Sequence, residues 1–290
     1  MKNITFLIPV YNDWESFSKL LDEINKILKD AANFTFNLIV VNDGSDSKYA
    51  DKKIPEFLNK IEILNMSKNK GHAICLAHGI NHVLKNYDFD YLILMDADGE
   101  DRPIEIIDLI AKATELKDTS IVAKRVKRSE GPIFKTFYAL HKIITLIFTG
   151  KMMNFGNYSI ITKEDAKKIS QDNTLNSNYS GTLKKNVSNL GHINCERGTR
   201  YFGPSKMPLF KLILHSFSII AVFKMNVFIR SALLIVLLTY LNSTLGLIAP
   251  ILQIVIVIFN LLIYYISFKS SKITFQEIAK GQESSEIITH

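Results

Sequence analysis

Two aspartates one residue apart, Asp96 and Asp98, directly follow a short apolar run, Tyr91 to Met95. A buried strand that ends in such a pair brings both carboxylates to the carboxyl edge of a sheet, which is where open α/β sheets bind their ligands. Mg²⁺ and Mn²⁺ prefer oxygen ligands and commonly share one or two carboxylates with substrate phosphates. The pair therefore predicts a metal and diphosphate site, with a solvated Asp-Ala-Asp-Gly turn as the simpler alternative.

The surrounding pattern supplies the elements that position this pair. Apolar strands are predicted at Ile4–Val10, Leu38–Val41 and Ile61–Met66, and helix-period segments follow at 14–28 and 72–84. Strands that alternate with helices of this length form βαβ units around a parallel sheet. The polar turns that end these strands converge on one edge of the sheet, which favours a binding site there.

The motifs on these turns resemble those of the family 2 inverting glycosyltransferases of the GT-A fold, and most closely the polyprenyl-phosphate sugar transferases. The resemblance covers about residues 3–230, in the order that the family has them. The matching segments are Ile8–Asp13, Val41–Ser45, Asn69–Ala73, Asp96–Pro103, Lys124–Arg125 and Arg200–Lys206. Two departures are Asn42, where the family usually has Asp, and Gly99-Glu100, where it usually has Leu-Gln. Asn42 leaves the nucleotide base open.

The resemblance implies a role for each matching position. Asp98, Arg125 and Arg200 are the expected catalytic residues, and Asp96, Asp98 and Glu100 are the expected ligands of Mg²⁺ or Mn²⁺. The expected substrate-binding residues are Pro9, Tyr11, Asp13, Asp43, Asp96, Ala97, Arg128, Ser205 and Lys206. The first four stand where the family holds the base and ribose, and the cations would clamp phosphates. For Arg125 and Arg128 a solvated basic turn remains the alternative.

The acceptor is inferred from a missing carboxylate. A sugar hydroxyl needs a general base, usually a carboxylate, and family members with hydroxyl acceptors commonly carry one in the region corresponding to Asn173–Cys195. That stretch contains no Asp or Glu. A phosphate monoester is mostly dianionic at pH 7 and needs no base. We therefore expect inverting transfer of a sugar from a nucleotide-diphosphate sugar to a polyprenyl phosphate such as undecaprenyl phosphate.

Two alternatives stay open. One is a sugar hydroxyl of a lipid-linked oligosaccharide as acceptor, with Asp101 or Glu196 as the base. The other is a non-catalytic membrane scaffold that binds sugar nucleotides. The sequence also leaves open which sugar is transferred and whether the chain forms a homo-oligomer.

Composition and charge narrow the partners. The formal net charge of +7 fits phosphates or an anionic membrane surface, and without a recognition motif for nucleic acid we expect no nucleic-acid partner. Cys75 and Cys195 are too few for a disulfide framework. The N-terminal apolar stretch is too short for a signal peptide.

The stretch from Ser231 to Phe268 carries no charged residue. Its 38 residues nearly double the roughly 20 that one membrane-spanning helix needs. This predicts a transmembrane hairpin, with a single long or re-entrant helix as the alternative. Basic residues flank the stretch on both sides and are missing from its turn, so we expect the catalytic domain and both ends to face the cytoplasm at a bacterial inner membrane.

The predicted fold is α/β: a GT-A, Rossmann-like, mostly parallel sheet flanked by helices. The predicted divisions are a catalytic domain at 1–207 with an interface helix at 132–150, an amphipathic juxtamembrane helix at 208–228, a transmembrane hairpin at 229–268, and a poorly ordered cytoplasmic tail at 269–290.

Overall fold

The computed structural model describes the chain apart from residues 32, 52, 118, 128–131, 204–208 and 274. The chain divides into two compact units. The first unit, which we call the sheet unit, contains Met1–Ser129, Asn154–Lys206 and Ile273–His290; the second, the helical unit, contains Glu130–Met153 and Met207–Lys272. The segment around 132–149 thus groups with the helices near the C-terminus, although it lies inside the predicted catalytic domain.

The described residues of the sheet unit form one eight-stranded sheet in the order β7-β5-β6-β4-β1-β2-β3-β8. The strands are β1 (Lys2–Val10), β2 (Phe34–Asn42), β3 (Lys60–Met66), β4 (Tyr91–Leu94), β5 (Ser120–Lys127), β6 (Phe155–Thr162), β7 (Leu190–Glu196) and β8 (Gln282–Thr289). The central strands β3, β2, β1 and β4 are parallel, as predicted. Strands β6 and β8 run antiparallel to their neighbours.

Helices flank this sheet and build the helical unit. In chain order they are α1 (Trp14–Leu28), α2 (His72–Asn86), α3 (Glu105–Glu115), α4 (Pro132–Thr149), α5 (Lys163–Ser170), α6 (Tyr179–Asn186), α7 (Leu209–Val222), α8 (Lys224–Tyr240), α9 (Asn242–Leu245), α10 (Ile248–Ser271) and α11 (Phe275–Lys280). Short 3₁₀ turns cover Lys29–Ala31 and Asn173–Asn176.

Both faces of the sheet are buried, which explains why its central strands read as almost unbroken apolar runs. Successive side chains of a strand point to opposite faces. Phe6 of β1 accordingly lies in the same core cluster as Phe17 of α1, whereas its neighbour Leu7 lies in the opposite cluster with Leu76 of α2. The two clusters hold α1 and α2 against opposite faces and so fix where the strand ends point.

The C-terminal segment differs from the predicted tail at 269–290. After α10 the chain forms α11, and β8 pairs antiparallel with β3 from Lys60↔Thr289 to Met66↔Gln282. Ile278 and Ile288 are buried in the sheet unit. The physical reason is that β3 would otherwise present a row of unpaired backbone groups at the sheet edge, which favours the addition of a strand.

In the helical unit, α8 and α10 pack against each other as a hairpin. The Gln253 amide on α10 donates hydrogen bonds to the Ile235 carbonyl (3.2 Å) and the Thr239 hydroxyl (2.8 Å) on α8. Among the described residues, a single helix, α10, is by itself both long enough and apolar enough to cross a membrane. The pair Ile213–Val222 and Lys224–Tyr240 meets the same criterion together, with a bend of 89° between them.

The helix boundaries in this region differ from those predicted. The division at 228/229 falls inside α8, and the break comes at Phe223 instead. The predicted division lies near the start of the charge-free stretch at Ser231, but a helix continues wherever its backbone hydrogen bonds do. The first hairpin helix, α8, therefore has 17 residues, which is at the lower limit for one span, and the second, α10, has 24.

Candidate functional site

The acidic loop, which we define as residues 96–101, joins β4 to the turn before α3. Its inner end is Asp101, whose side chain is 2% exposed. One carboxylate oxygen accepts a hydrogen bond from the Asp96 backbone N–H (3.0 Å), and the other accepts one from Arg125 Nη2 (3.1 Å). Burial and the nearby charge of Asp96 raise the pKa of Asp101 to about 7, against the opposing effect of Arg125. Asp101 thus anchors the loop to β5.

Asp98 stands at the tip of the acidic loop. Its carboxylate accepts a hydrogen bond from the backbone N–H of Glu100 at 2.9 Å. Burial, followed by the charge of Asp96, raises the pKa of Asp98 to about 6, although Arg200 acts in the other direction. A buried carboxylate beside a second carboxylate is an environment in which a nearby cation stabilises the charged form.

A second segment, which we call the strap (residues 197–201), follows β7 and lies along the acidic loop. The Gly198 N–H donates to the Glu100 carbonyl and the Tyr201 N–H donates to the Asp98 carbonyl, both at 2.9 Å. A Cβ at Gly198 would lie 2.2 Å from the Gly99 carbonyl oxygen, so the two backbones approach too closely for any side chain. The strap and the acidic loop therefore form one backbone-bonded unit.

Two arginines of the strap bind the carboxylates of the acidic loop. Arg197 donates to Glu100 through Nε (2.9 Å) and through a guanidinium nitrogen. Arg200 pairs with Asp98 and, at 2.9 Å, with Asp13 at the end of β1. Its Nε is buried and finds no hydrogen-bond partner among the described residues. Arg200 thus bridges the carboxyl ends of β1 and β4 and retains an unused donor.

The turn after β1 is held by the turn after β2. The Asn12 backbone N–H donates to the Ser45 hydroxyl (2.8 Å), and the side chains and backbone of Asn12 and Asp46 exchange two hydrogen bonds (2.9 Å each). Trp14 donates from Nε1 to the Ser47 carbonyl at 2.8 Å. The turn on which Tyr11 and Asp13 stand is therefore fixed by side-chain and backbone groups of residues 45–47.

Asp43 turns inward rather than toward the open edge. Its buried carboxylate accepts hydrogen bonds from the backbone N–H groups of Lys70 (2.6 Å) and Gly71 (3.0 Å). Burial raises the pKa of Asp43 despite these bonds. In this position Asp43 fixes the loop after β3, and its role in binding the base of a nucleotide stays a prediction.

The first residue of α2, His72, is a site residue for which the sequence predicts no role. Its Nε2 lies 2.8 Å from Asp96 Oδ1. Burial alone would lower the pKa of His72, but Asp96, with Asp101 and Asp43 behind it, raises the pKa above its ordinary value. The motif containing His72 was visible in the sequence, but the pairing with Asp96 depends on how α2 meets β4.

The structure brings most of the predicted site residues to one edge of the sheet. Asp13, Asp96, Asp98, Glu100 and Arg200 meet there through the contacts above. Arg125 instead faces the buried Asp101. The remaining predicted residues are Pro9 of β1, which is in register with Val41 of β2, the half-exposed Tyr11 and the buried Ala97. Arg128, Ser205 and Lys206 lie outside the described residues.

A divalent cation would share this loop with existing ion pairs. Asp96, Asp98 and Glu100 pair with His72, Arg200 and Arg197, and the described part of the chain contains no cluster of three His, Cys, Asp or Glu side chains spaced for a metal ion. Mg²⁺ and Mn²⁺ commonly take only one or two carboxylates beside substrate oxygens. Asp96 and Asp98 supply two such carboxylates, one residue apart. Glu100, held doubly by Arg197, fits less well.

Comparisons with known proteins agree with this architecture. The model of Glycosyl transferase family 2 matches residues 5–177. An undecaprenyl-phosphate 4-deoxy-4-formamido-L-arabinose transferase of Salmonella choleraesuis (strain SC-B67) is 27% identical over 224 residues, which are 73% of this chain and 65% of that protein. A protein of the same name from Salmonella paratyphi B gives the same values. The chain therefore spans somewhat less than two thirds of the length of these curated relatives.

A solved structure shows the same fold. Glucosyl-3-phosphoglycerate synthase from Mycobacterium tuberculosis, in complex with Mn²⁺, UDP-glucose and phosphoglyceric acid, superposes with a TM-score of 0.53. The match has 13% sequence identity and covers 78% of this chain and 80% of that chain. At this identity the likeness concerns the fold alone. It confirms the predicted GT-A-like, mostly parallel sheet with flanking helices.

Proposed function

Because this chain belongs to glycosyl transferase family 2, we propose that it transfers a sugar from a nucleotide-diphosphate sugar to a polyprenyl phosphate with inversion at C1. The observation that carries the proposal is the bridge that Arg200 makes between Asp13 and Asp98 across the carboxyl ends of β1 and β4. The relatives named as undecaprenyl-phosphate sugar transferases support the choice of a lipid phosphate as acceptor.

Arg200 is the residue that we expect to bind the diphosphate of the donor. A guanidinium binds phosphate oxygens with the same forked geometry that it uses for carboxylates. Arg200 has a buried Nε without a partner among the described residues, and its other nitrogens hold Asp13 and Asp98. We propose that Arg200 exchanges a carboxylate for the diphosphate when the donor binds, which stabilises the negative charge that grows on the leaving group.

The acidic loop supplies the complementary part of the donor site. Asp96 and Asp98, with Glu100 as a third predicted ligand, would hold Mg²⁺ or Mn²⁺; the bound ion would act as a Lewis acid toward the diphosphate. His72 fixes the orientation of Asp96 through its hydrogen bond at 2.8 Å. Asp101, tied to Arg125 and to the Asp96 backbone, keeps the loop at the sheet edge.

The proposed reaction needs no general base. An oxygen of the phosphate monoester attacks C1 of the sugar from the side opposite the leaving group. The bond from C1 to the diphosphate oxygen breaks, and the nucleoside diphosphate leaves with the electron pair. The attacking phosphate is mostly dianionic at pH 7, so no proton has to be removed.

The two carboxylates considered as bases for a hydroxyl acceptor are engaged elsewhere. Asp101 is buried and already accepts bonds from Arg125 and the Asp96 backbone. Glu196 pairs with Arg102 at 3.4 Å. A general base needs hydrogen-bond reach to the proton that it takes, so these contacts favour the phosphate acceptor over the hydroxyl.

We further propose that the helical unit anchors the protein at the cytoplasmic face of a bacterial inner membrane. The support is the apolar α10, which packs against α8. Large apolar side chains such as Leu233, Val236, Ile254 and Ile258 are exposed on these two helices. Helices that place such side chains outward suit a hydrocarbon environment rather than water.

A transfer assay tests the proposed function. The full chain in lipid nanodiscs receives undecaprenyl phosphate, Mn²⁺ or Mg²⁺ and a panel of UDP- and GDP-sugars, and the lipid fraction is analysed by mass spectrometry. We expect a glycosyl-phosphoryl-lipid product that requires the metal and disappears in Asp98→Asn. The matched control is Asp88→Asn, which replaces an exposed aspartate paired only with Lys163 among the described residues.

The outcomes separate the parts of the proposal. If donors bind but the lipid phosphate stays unmodified across the panel, the polyprenyl phosphate acceptor is wrong, and a lipid-linked oligosaccharide is tested next. If Asp98→Asn retains full transfer, the assignment of the acidic loop as the donor site is wrong.

A further inference from the structure

Three polar side chains form a row across the sheet beside the candidate site. Asn42 on β2, Asn65 on β3 and Ser284 on β8 are register partners. Asn42 donates from Nδ2 to Asn65 Oδ1 at 2.8 Å, and Asn65 donates from Nδ2 to the Ser284 hydroxyl at 3.2 Å. The two asparagines are only 4% and 7% exposed. The row lies on the α1 face, at the carboxyl ends of β2 and β3.

The row continues into the turns of the candidate site. The backbone N–H of Ser45 donates to Asn42 Oδ1 at 3.0 Å, and the Ser45 hydroxyl in turn accepts from the Asn12 N–H at 2.8 Å. A chain of hydrogen bonds therefore leads from Ser284, near the C-terminus, to the turn that carries Tyr11 and Asp13.

This chain of hydrogen bonds ends at a residue with a left-handed backbone conformation. Asn12 has a φ of 48°, the only positive φ of a non-glycine residue in the described part of the chain. Asparagine adopts this conformation more readily than most residues, and local hydrogen bonds stabilise it. Asn12 makes such bonds with Ser45 and Asp46, and Ser45 is itself held by the buried Asn42.

The same C-terminal segment also supports the neighbouring loop. The Ser67 backbone N–H donates to the Gly281 carbonyl at 2.9 Å. Ser67 lies four residues before Gly71, whose N–H donates to the Asp43 carboxylate. Gln282 and His78 are joined at 2.7 Å. The C-terminal segment thus contacts the loop after β3 directly through Gly281, and it reaches the loop after β2 only through Asn65 and Asn42.

We propose that Ser284 of the C-terminal strand is a positioning residue for the nucleoside diphosphate part of the donor, acting through Asn65 and Asn42 on the turns at residues 11–13 and 43–46. This inference rests on the proposed function, because it takes those turns to bind the donor. The inference also gives Asn42 a role. Its side-chain amide donates to Asn65 on the neighbouring strand and accepts from the Ser45 N–H, and so orders the turn at residues 43–46.

Donor binding by the full chain in nanodiscs tests this inference. Trp14 is the single tryptophan of the sequence and bonds to Ser47 within the same turns, so its fluorescence reports on them. UDP and GDP are the probes, their Kd values are measured by calorimetry alongside the fluorescence, and kcat and KM are measured with the preferred donor. The variants are Ser284→Ala, Ser284→Thr, and the matched control Ser285→Ala on the same strand.

We expect Ser284→Ala to raise the Kd of the nucleoside diphosphate and the KM of the donor by roughly 2- to 10-fold, the effect of one neutral hydrogen bond. The value of kcat should stay unchanged, since no group at the reacting atoms is altered. Ser284→Thr keeps the hydroxyl and should restore both values. Ser285→Ala should resemble the unaltered protein.

Each failure has its own signature. If the unaltered protein binds neither nucleotide and uses no donor, the proposed function fails. If it binds a nucleotide but Ser284→Ala and Ser285→Ala have the same Kd and KM, the inference about Ser284 is wrong. A lower melting temperature of Ser284→Ala with an unchanged Kd overturns the inference as well, because Ser284 would then serve only the stability of β8.

Discussion

Gly198 is the point at which the strap comes closest to the acidic loop, and replacing it with alanine tests the description of the site. The added Cβ would lie 2.2 Å from the Gly99 carbonyl oxygen and 3.0 Å from Cγ of Arg102, whereas ordinary contacts begin at 3.4 Å. The closest atom belongs to the backbone, so no side-chain rotation relieves the clash. The strap has to move away by roughly 1 Å.

This movement has a cost that follows from the contacts. Inserting a methyl group into a packed position typically destabilises by about 1–3 kcal/mol. The hydrogen bonds from Gly198 and Tyr201 to the acidic loop contribute about 1 kcal/mol each and would be weakened. We therefore expect Gly198→Ala to lower the free energy of unfolding by about 2–4 kcal/mol. Displaced arginines would also lower transfer activity by at least about tenfold, since ~1 Å of misplacement can have such an effect.

The control is Gly156→Ala. Gly156 has a φ outside the left-handed region, and its added Cβ would meet nothing within 4 Å. Both substitutions are the same in the unfolded chain, so the difference between them reports on the folded state. Thermal unfolding followed by circular dichroism should show a melting temperature of Gly198→Ala roughly 5–10 °C below that of Gly156→Ala. Equal melting temperatures together with retained activity would refute the packing of the strap on the acidic loop.

Three further predictions concern other parts of the chain. Burial alone would raise the pKa of Asp172, but Lys185 at 2.8 Å and neighbouring hydrogen bonds lower it to about 2. Asp172→Asn should therefore lower the free energy of unfolding by about 2 kcal/mol at pH 7. Urea unfolding should show this difference shrinking as the pH falls from about 4 toward 2, where the carboxylate becomes protonated in both states. Arg125→Ala should destabilise by about 1–3 kcal/mol at pH 7, because Asp101 loses its charged hydrogen-bond partner, and the loss should grow as the pH rises above 7 and Asp101 ionises. Adding Asp101→Asn should recover part of that loss in a double-mutant cycle, whereas additive losses would show that the pair is not coupled. Ser243→Cys, in the turn between α8 and α10, should react with a membrane-impermeant maleimide added to intact cells, because a transmembrane hairpin places this turn on the outer side of the membrane. Both native cysteines are buried, so labelling reports on the introduced cysteine. Labelling only after permeabilisation would contradict the hairpin.

The sequence predicts the central sheet well because its signals are local. Each of the strands β1 to β4 is a short apolar run that ends in a polar turn, and both properties can be read without knowing the neighbours. The acidic loop is predicted for the same reason: Asp96 and Asp98 follow the end of β4 directly. The parallel order of these strands then follows from the helices between them.

The contacts of the site are harder to predict because they join distant segments. Arg200 and its partner Asp13 are separated by 187 positions, and Arg197 lies 97 positions from Glu100. A motif can suggest that Arg200 is functional, but only the folded strap shows which carboxylates it meets. The inward orientation of Asp43 likewise depends on the loop after β3, which supplies the N–H groups it accepts.

Strand β8 escaped prediction for a different reason. Its side chains are mostly exposed, with Ile288 alone buried, so the alternation of apolar and polar residues that marks a half-buried strand is weak. What places β8 is the open edge of β3, a property of the assembled sheet and not of residues 282–289. A polar C-terminal segment is therefore compatible with disorder or with an edge strand until its partner is known.

The position of β8 also constrains how the chain can cross a membrane. Strands β3 and β8 are hydrogen-bonded in one sheet, so both lie on the same side of any bilayer, and the chain between them must cross an even number of times. A single crossing by α10 is incompatible with this pairing. If α10 spans, α8 must span as well, alone or as the bent pair with α7, which meets the same criteria of length and composition. The hydrogen bonds from Gln253 to Thr239 and Ile235 then satisfy polar groups where no water is available to do so. The edge strand of the sheet thus favours the hairpin over the single span, a choice that the apolar stretch from Ser231 to Phe268 leaves open by its length alone.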